Sequence, residues 1–227
     1  IDGSIQSVML PTLASEQGNR QRVKSIMRRS IVTSSFLIFP MMIGLAVIAE
    51  PLVKILLTDK WLRCVPFLQI FCVSYAVYPI HTANLQAINA LGRSDVFLKL
   101  EVIKKVIGLI ILGISIFYGV YAIAIGMLIF SVISTFINAF PNLKLLDYSY
   151  KQQWNDIIPS LLLSLVMGMI VYSFKWLHMK TWVTLIVQIS IGCVIYLGLA
   201  NVFKLECYTY LLTTLKDILK NRKGLIK

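Results

Sequence analysis

Charge is scarce in this sequence, and negative charge most of all. Only 14% of its 227 residues are charged, and 10 of those are Asp or Glu. A soluble domain carries about 25% charged residues, so the chain has too little polar surface to face water. Histidine is rarer still, with His81 and His178 in different segments. No GxSxG, HExxH, Walker A or Rossmann glycine pattern occurs. No carboxylate lies deep in an apolar run, which argues against a self-contained proton pump. The cysteines, Cys64, Cys72, Cys193 and Cys207, form no CxxC pair and no metal-ligand spacing. They read as small hydrophobes. No catalytic set, metal site or cofactor is expected. The alternating segments of about ten residues that build a membrane β-barrel are also missing.

What the sequence has in quantity is hydrophobicity, 58% of residues with mean hydropathy +0.79. Six apolar runs reach or approach the roughly 20 residues that cross a bilayer at about 1.5 Å per residue. They are Ile31–Ala49, Val65–Leu91, Val96–Tyr118, Tyr121–Phe140, Ile157–Phe174 and Trp182–Ala200. Backbone polar groups in lipid must be satisfied within the segment, so each run is expected to be a helix. The fold class is all-α, a polytopic integral membrane protein with six complete spans. Ser4–Asn19 reads as the tail of a preceding helix running into a polar loop. Pro51–Trp61 is too short to span and suits the interface, with Trp61 as an anchor. The chain opens Ile-Asp-Gly without a methionine and is expected to be a piece of something longer.

Net charge is +12, from 22 Lys and Arg. On an apolar chain this points to anionic membrane lipids rather than nucleic acid. Seventeen of the 22 cluster before the first run, at the second-to-third turn, in the fourth-to-fifth loop and in the tail. The other five, Lys54, Lys60, Arg63, Lys175 and Lys180, lie at the opposite ends of the runs. The positive-inside rule places the seventeen, and the C-terminus, in the cytoplasm. Tyr208–Lys227 spaces Leu211, Leu212, Leu215, Ile218 and Leu219 at helical intervals among lysines, as an amphipathic helix on the membrane surface does.

The second run carries more hydrogen-bonding chemistry than a lipid-facing helix tolerates. At about 100° per residue, Ser74, Tyr75, Tyr78, His81, Thr82, Gln86 and Asn89 fall within an arc of about 140°, with Asn84 apart. Unpaired polar groups in hydrocarbon cost several kcal/mol each. This face therefore looks at other helices or at water. Interhelical hydrogen bonding is one reading, and a water-filled cavity is the other. The fourth run repeats the theme, with Ser131, Ser134, Thr135 and Asn138 on one face. The third run opens with Lys99, Glu101, Lys104 and Lys105. Glu101 is spaced to pair with Lys104 and Lys105. The two lysines either snorkel toward lipid phosphates or form a cationic entrance for a pyrophosphate headgroup. Pro40 and Pro79 sit mid-span, where each removes a backbone hydrogen bond.

Taken in order, VMLPTLASEQGNRQRVKSIMRRS, FPMMIGLAVIAEPLVKILLTDKW, LQAINALGRSD, DIIPSLLLSLVMG and IYLGLANVFKLECY resemble the C-terminal half of a bacterial polysaccharide flippase. That family belongs to the multidrug/oligosaccharidyl-lipid/polysaccharide exporter superfamily. The resemblance spans essentially the whole chain and rests on Pro11, Pro40, Gly44, Trp61 and Leu91-Gly92-Arg93 in sequence order. One departure is Thr58-Asp59-Lys60-Trp61, where many relatives have a glycine before the tryptophan. The resemblance implies the C-lobe of a two-lobe, alternating-access transporter. Residues 1–19 would close a preceding helix and open a loop, and 20–143 would be four helices of the lobe. Residues 144–200 would be two additional helices, and 201–227 a cytoplasmic amphipathic tail. The implied substrate is a lipid-linked oligosaccharide moved across the bacterial inner membrane. The implied partners are the N-terminal half of the same protein and glycan-assembly proteins. A multidrug-type exporter, a membrane-embedded polysaccharide polymerase or acyltransferase, and a non-transporting scaffold are the competing readings.

Overall fold

The computed structural model describes residue 9 and residues 11–16, 18–177, 180–205, 207–210, 212 and 213. Among these no strand occurs. The helices are α1 (Arg20–Val47), α2 (Ala49–Leu57), α3 (Val65–Ala76), α4 (Tyr78–Ala90), α5 (Ser94–Ile116), α6 (Val120–Leu145), α7 (Tyr150–Ser173) and α8 (Thr181–Val202). Short 3₁₀ turns cover Asp59–Cys64 and Phe174–Leu177. Of the tail of a preceding helix, residues 9 and 11–14 are described and are helical, with Met9 and Leu13 buried. His178 and most of the amphipathic tail lie outside the described residues.

Five stretches are long and apolar enough to cross a membrane: α1, Asp59–Ala90, α6, Tyr150–Trp176 and α8. The chain is thus a multi-pass membrane protein. Helix α5 has 23 residues, enough to span, and is apolar from Val106 onward. Its first half carries Asp95, Lys99, Glu101, Lys104 and Lys105. Run two, expected as one helix, is broken at Val77 into α3 and α4. The cause is Pro79, in the first turn of α4, which has no N–H to continue the ladder.

Local chemistry sets the ends. The Asn19 side chain accepts from the Arg22 N–H and caps α1. Ser149 and Gln152 form a reciprocal capping box that starts α7. Between α2 and the 3₁₀ turn Thr58 holds φ at 75°, on the side of φ that glycine adopts without penalty. This is the turn where the sequence departs from its resemblance.

Helix α1 is the spine. Its broadest interface is with α7, and it also packs on α3 and α4. Helix α6 packs on α3, α4 and α5, while α8 packs on α7 and α2. One core joins Val23, Met27, Ile31 and Phe39 of α1 to Ala76, Ile80, Ala83 and Ala87, and to Ile157 of α7. A second joins Phe36 to Leu163, Met167, Val171, Tyr196 and Ala200. Small residues permit this approach. A Cβ on Gly168 would stand 2.6 Å from Ile43 of α1, and one on Gly126 would stand 2.5 Å from the Ser115 hydroxyl of α5.

Polar clamps mark the two ends of the bundle. At one, Lys175 bonds Glu50 at 2.7 Å. At the other, Arg28 bonds Asp156 at 2.8 Å, and Lys24 donates to the Asp147 carbonyl. Tyr148 is buried there and donates to Asp156 at 2.6 Å. Burial, helped by that carboxylate, holds its phenol well above the ordinary range, so it remains a donor. The second end is the one richer in Lys and Arg.

Candidate functional site

The polar residues of α4, α5 and α6 meet in two tiers. In the upper tier the Asn138 side-chain amide lies 2.9 Å from His81 Nδ1. The amide donates, so in the neutral ring the imidazole proton sits on Nε2. Tyr78 stacks on His81 with centroids 5.4 Å apart and planes at 20°. Tyr75 lies 6.1 Å from Tyr78, across the break at Val77. Lys104 of α5 is only 5% exposed and bonds Glu101 at 2.5 Å. Both charges lie close enough to act on His81 electrostatically. Counted at about 1.5 Å per residue from the Lys/Arg-rich end, His81, Lys104 and Asn138 stand at similar depths of about 10–15 Å.

A buried ammonium is costly in a membrane unless it is paired. Glu101 provides that pairing, and the pair stays locally neutral. Lys105, turned about 100° from Lys104 on the helix, is exposed. Of the two lysines that the sequence put together, only Lys104 joins the cluster.

The lower tier lies one turn nearer the Lys/Arg-rich end. The Asn84 amide nitrogen donates to Gln153 Oε1 at 2.9 Å and to the Ile80 carbonyl at 2.8 Å. Its Oδ1 accepts from Asn142 at 2.9 Å and from Gln153 at 3.2 Å. All three side chains are buried, Asn84 and Asn142 completely. The helical wheel set Asn84 apart from the polar face, and Asn142 and Gln153 were not singled out. Asn84 is three residues from His81, and Asn142 four from Asn138. That spacing was the available signal.

The other sequence candidates divide. The Ser131 hydroxyl donates to the Ser74 carbonyl at 2.8 Å and bolts α6 to α3. Ser74 and Thr135 donate to carbonyls of their own helices. These three hydroxyls are spent on packing. Thr82 is buried, while Gln86 and Asn89 are half-buried. Tyr75 is 55% exposed. Buried acceptors remain without a partner among the described residues: Gln86 Oε1, Ser134 Oγ, Asn138 Oδ1 and Asn142 Oδ1. Among those residues no group of three His, Cys, Asp or Glu is arranged to hold a metal.

This arrangement can do two things. It offers hydrogen-bond acceptors and an aromatic stack to a hydroxyl-rich ligand, and it keeps a cation in reserve beside them. It shows no nucleophile–base pair for covalent chemistry.

Residues 1–66 match a family described as "Polysaccharide biosynthesis protein". Two curated proteins are similar over most of the chain. An uncharacterized membrane protein in the cps region of Klebsiella pneumoniae is 28% identical over 171 residues, covering 71% of this chain and 35% of that protein. Lipopolysaccharide biosynthesis protein WzxC of Escherichia coli K12 is 24% identical over 176 residues, covering 73% of this chain and 36% of WzxC. The chain thus spans about a third of the length of these relatives. Among solved structures, lipid II flippase MurJ in its inward closed conformation superposes with a TM-score of 0.72 at 19% identity. The match covers 92% of this chain and 43% of MurJ and shows a shared fold.

Proposed function

We propose that this chain, a member of the polysaccharide flippase family, forms the C-terminal lobe of a transporter that carries a lipid-linked oligosaccharide across the bacterial inner membrane. It works by alternating access, with no enzymatic step. The domain division is the one read from the sequence: four lobe helices, two additional helices and a cytoplasmic tail. The Lys/Arg-rich end faces the cytoplasm. The N-terminal half of the same protein supplies the other wall of the path, and glycan-assembly proteins deliver the substrate.

The observation that carries this reading is the upper tier. A sugar presents hydroxyl donors; the upper tier offers Asn138 Oδ1 and the Tyr78–His81 stack, and Gln86 Oε1 lies about 7 Å along α4 toward the Lys/Arg-rich end. Many weak bonds of this kind hold a glycan without fixing one sequence of sugars. The lipid tail stays in the bilayer while the headgroup follows the polar face. Lys104 meets the pyrophosphate by exchanging its Glu101 partner for a phosphate oxygen. A multidrug-type exporter would instead need an acidic group free to meet a cation. The carboxylate in this cluster, Glu101, is already bonded to Lys104.

The test is leaflet-resolved accessibility of a lipid-linked glycan in cells expressing the full-length protein. His81→Ala and Asn138→Ala are each expected to lower outward appearance by about tenfold, on the order of one lost charge-free contact set. Protein abundance should not change. Normal transport by both variants would reject the upper tier as the path.

A further inference from the structure

The side of α1 turned away from the polar tiers carries a second, unrelated feature. At about 100° per residue, Arg29 and Phe36 point roughly opposite to Met27 and Ile31, which face the core shared with α4. Along this outer side two hollows follow one another. The first, about 270 Å³, is lined by Ser25, Arg28, Arg29, Thr33, Cys207 and Tyr210. The second is a groove of about 470 Å³ between α1 and α8, with walls that include Leu37, Pro40, Gly44, Gly192, Cys193 and Leu197. An aromatic shoulder of Phe36, Tyr196 and Tyr208 stands between them, with Phe36 centroids 5.1 Å from Tyr196 and 6.4 Å from Tyr208.

The order of chemistry along α1 is cationic, aromatic, apolar. That is the order of a bilayer leaflet from headgroup to chain. Arg28 is paired with Asp156 through Nε and Nη2. Arg29 has no carboxylate partner among the described residues, and its guanidinium lies 3.5 Å from the centre of the Tyr210 ring. Stacking holds the plane and leaves the edge of the fork to meet an anion bidentately. Two hydroxyls, Ser25 and Thr33, line the same hollow. In the groove, Gly44 and Gly192 keep the walls low, since neither has a side chain.

We propose that this face binds one anionic glycerophospholipid as a resident ligand. Its phosphate sits on Arg29 and Arg28, and an acyl chain lies in the α1–α8 groove. The occupant is a membrane phospholipid rather than the transported glycan-lipid. The polar tiers lie on the other side of α1, so one headgroup cannot reach both. The function is to fasten α8 and the residues that follow it to the spine. Tyr196 already donates to the Phe36 carbonyl at 2.8 Å from that side.

The experiment is native mass spectrometry of the full-length, delipidated protein. The probe is an equal mixture of phosphatidylglycerol and phosphatidylcholine of the same chain length. Wild type is expected to retain phosphatidylglycerol over phosphatidylcholine by about fivefold or more, as a charge-assisted contact gives. Arg29→Gln should lower that retention by about fivefold, and Arg29→Lys should fall between wild type and Arg29→Gln, since it keeps the charge but loses the stacked, bidentate fork. Cys193→Trp fills the groove and should lower binding of the lipid with Arg29 intact. Leu37→Trp on the facing wall replaces it if that variant does not elute as a single species. Arg22→Gln, at an exposed arginine paired with Glu16 outside the hollow, should bind as wild type does. Equal retention of the two lipids, or full retention by Arg29→Gln, overturns the proposal. So does displacement by millimolar inorganic phosphate, which would mark a simple anion site. One-for-one displacement by a lipid-linked glycan would assign the face to the substrate and overturn it equally.

Discussion

Lys104 lies in the packed interior with its ammonium on Glu101, while Lys105 projects from the exposed side of α5. Adjacent residues on a helix differ by about 100° in direction, so a pair of lysines in sequence is seldom a pair in space. The two therefore have separable roles. Lys104→Gln removes the cation that the proposed path uses and leaves Glu101 without its partner. It should lower glycan export by about tenfold or more, in line with the cost of breaking a buried pair. Lys105→Gln should export within about twofold of wild type, because an exposed charge at this position makes no fixed contact. The double variant Lys104→Gln/Glu101→Gln separates structure from transport. A neutral pair restores abundance, since no charge is stranded, but export should stay low. Recovery of both abundance and export would mean that the pair only holds α5 in place.

At the scale of the element, the break at Val77 shows what was legible in the sequence and what was not. The apolar runs mark where the helices lie, because lipid leaves the backbone no alternative to helix. Yet α1 starts at Arg20 and α7 at Tyr150, well before their runs at Ile31 and Ile157, since a capped polar turn extends a helix beyond the lipid. Pro79 is visible in the sequence as a mid-span proline, but a single helical frame runs straight through it. Once the ladder breaks, Tyr75 and Ser74 no longer share one frame with Asn84, and the arc computed across the break misplaces residues. Asn84 shares α4 with His81, so its offset of about 60° from that residue is unaffected by the break. It turns to Asn142 and Gln153 instead, a contact only packing shows. Asn142 and Gln153 are hidden for another reason: each lies just outside its apolar run, where a polar residue looks like a loop. Only packing shows that α4, α6 and α7 converge there. Asn84 joins all three helices, so Asn84→Leu should strand two buried amides. We expect a loss of about 2–3 kcal/mol in mixed-micelle unfolding, taking the usual range for unsatisfied buried groups. In a cycle with Gln153→Leu, the two losses should fall short of additive by about 0.5 kcal/mol or more. Strict additivity would show that the contact between α4 and α7 contributes nothing.

For the whole molecule, the decisive feature is a polar interior whose hydrogen bonds are incompletely satisfied among the described residues. The two tiers and their neighbours hold buried acceptors without partners among the described residues, Asn138 Oδ1 and Asn142 Oδ1 among them, with two tyrosines at the edge and an ion pair at depth. A finished interior satisfies nearly all such groups. Under the proposed function this face meets a second lobe, and there water and substrate complete it in turn. The relatives are about three times as long as the aligned region of this chain, which agrees with a second wall outside these 227 residues. Transport by alternating access requires both walls to move against each other. Reconstituted alone into liposomes, the 227-residue chain should insert but should not move a fluorescent lipid-linked glycan faster than empty vesicles do. Co-expression with the remainder of the protein should restore movement, and His81→Ala in the chain should abolish that restored movement. Specific movement by the chain alone would defeat the two-walled path, and restored movement that ignores His81→Ala would place the path elsewhere on the lobe.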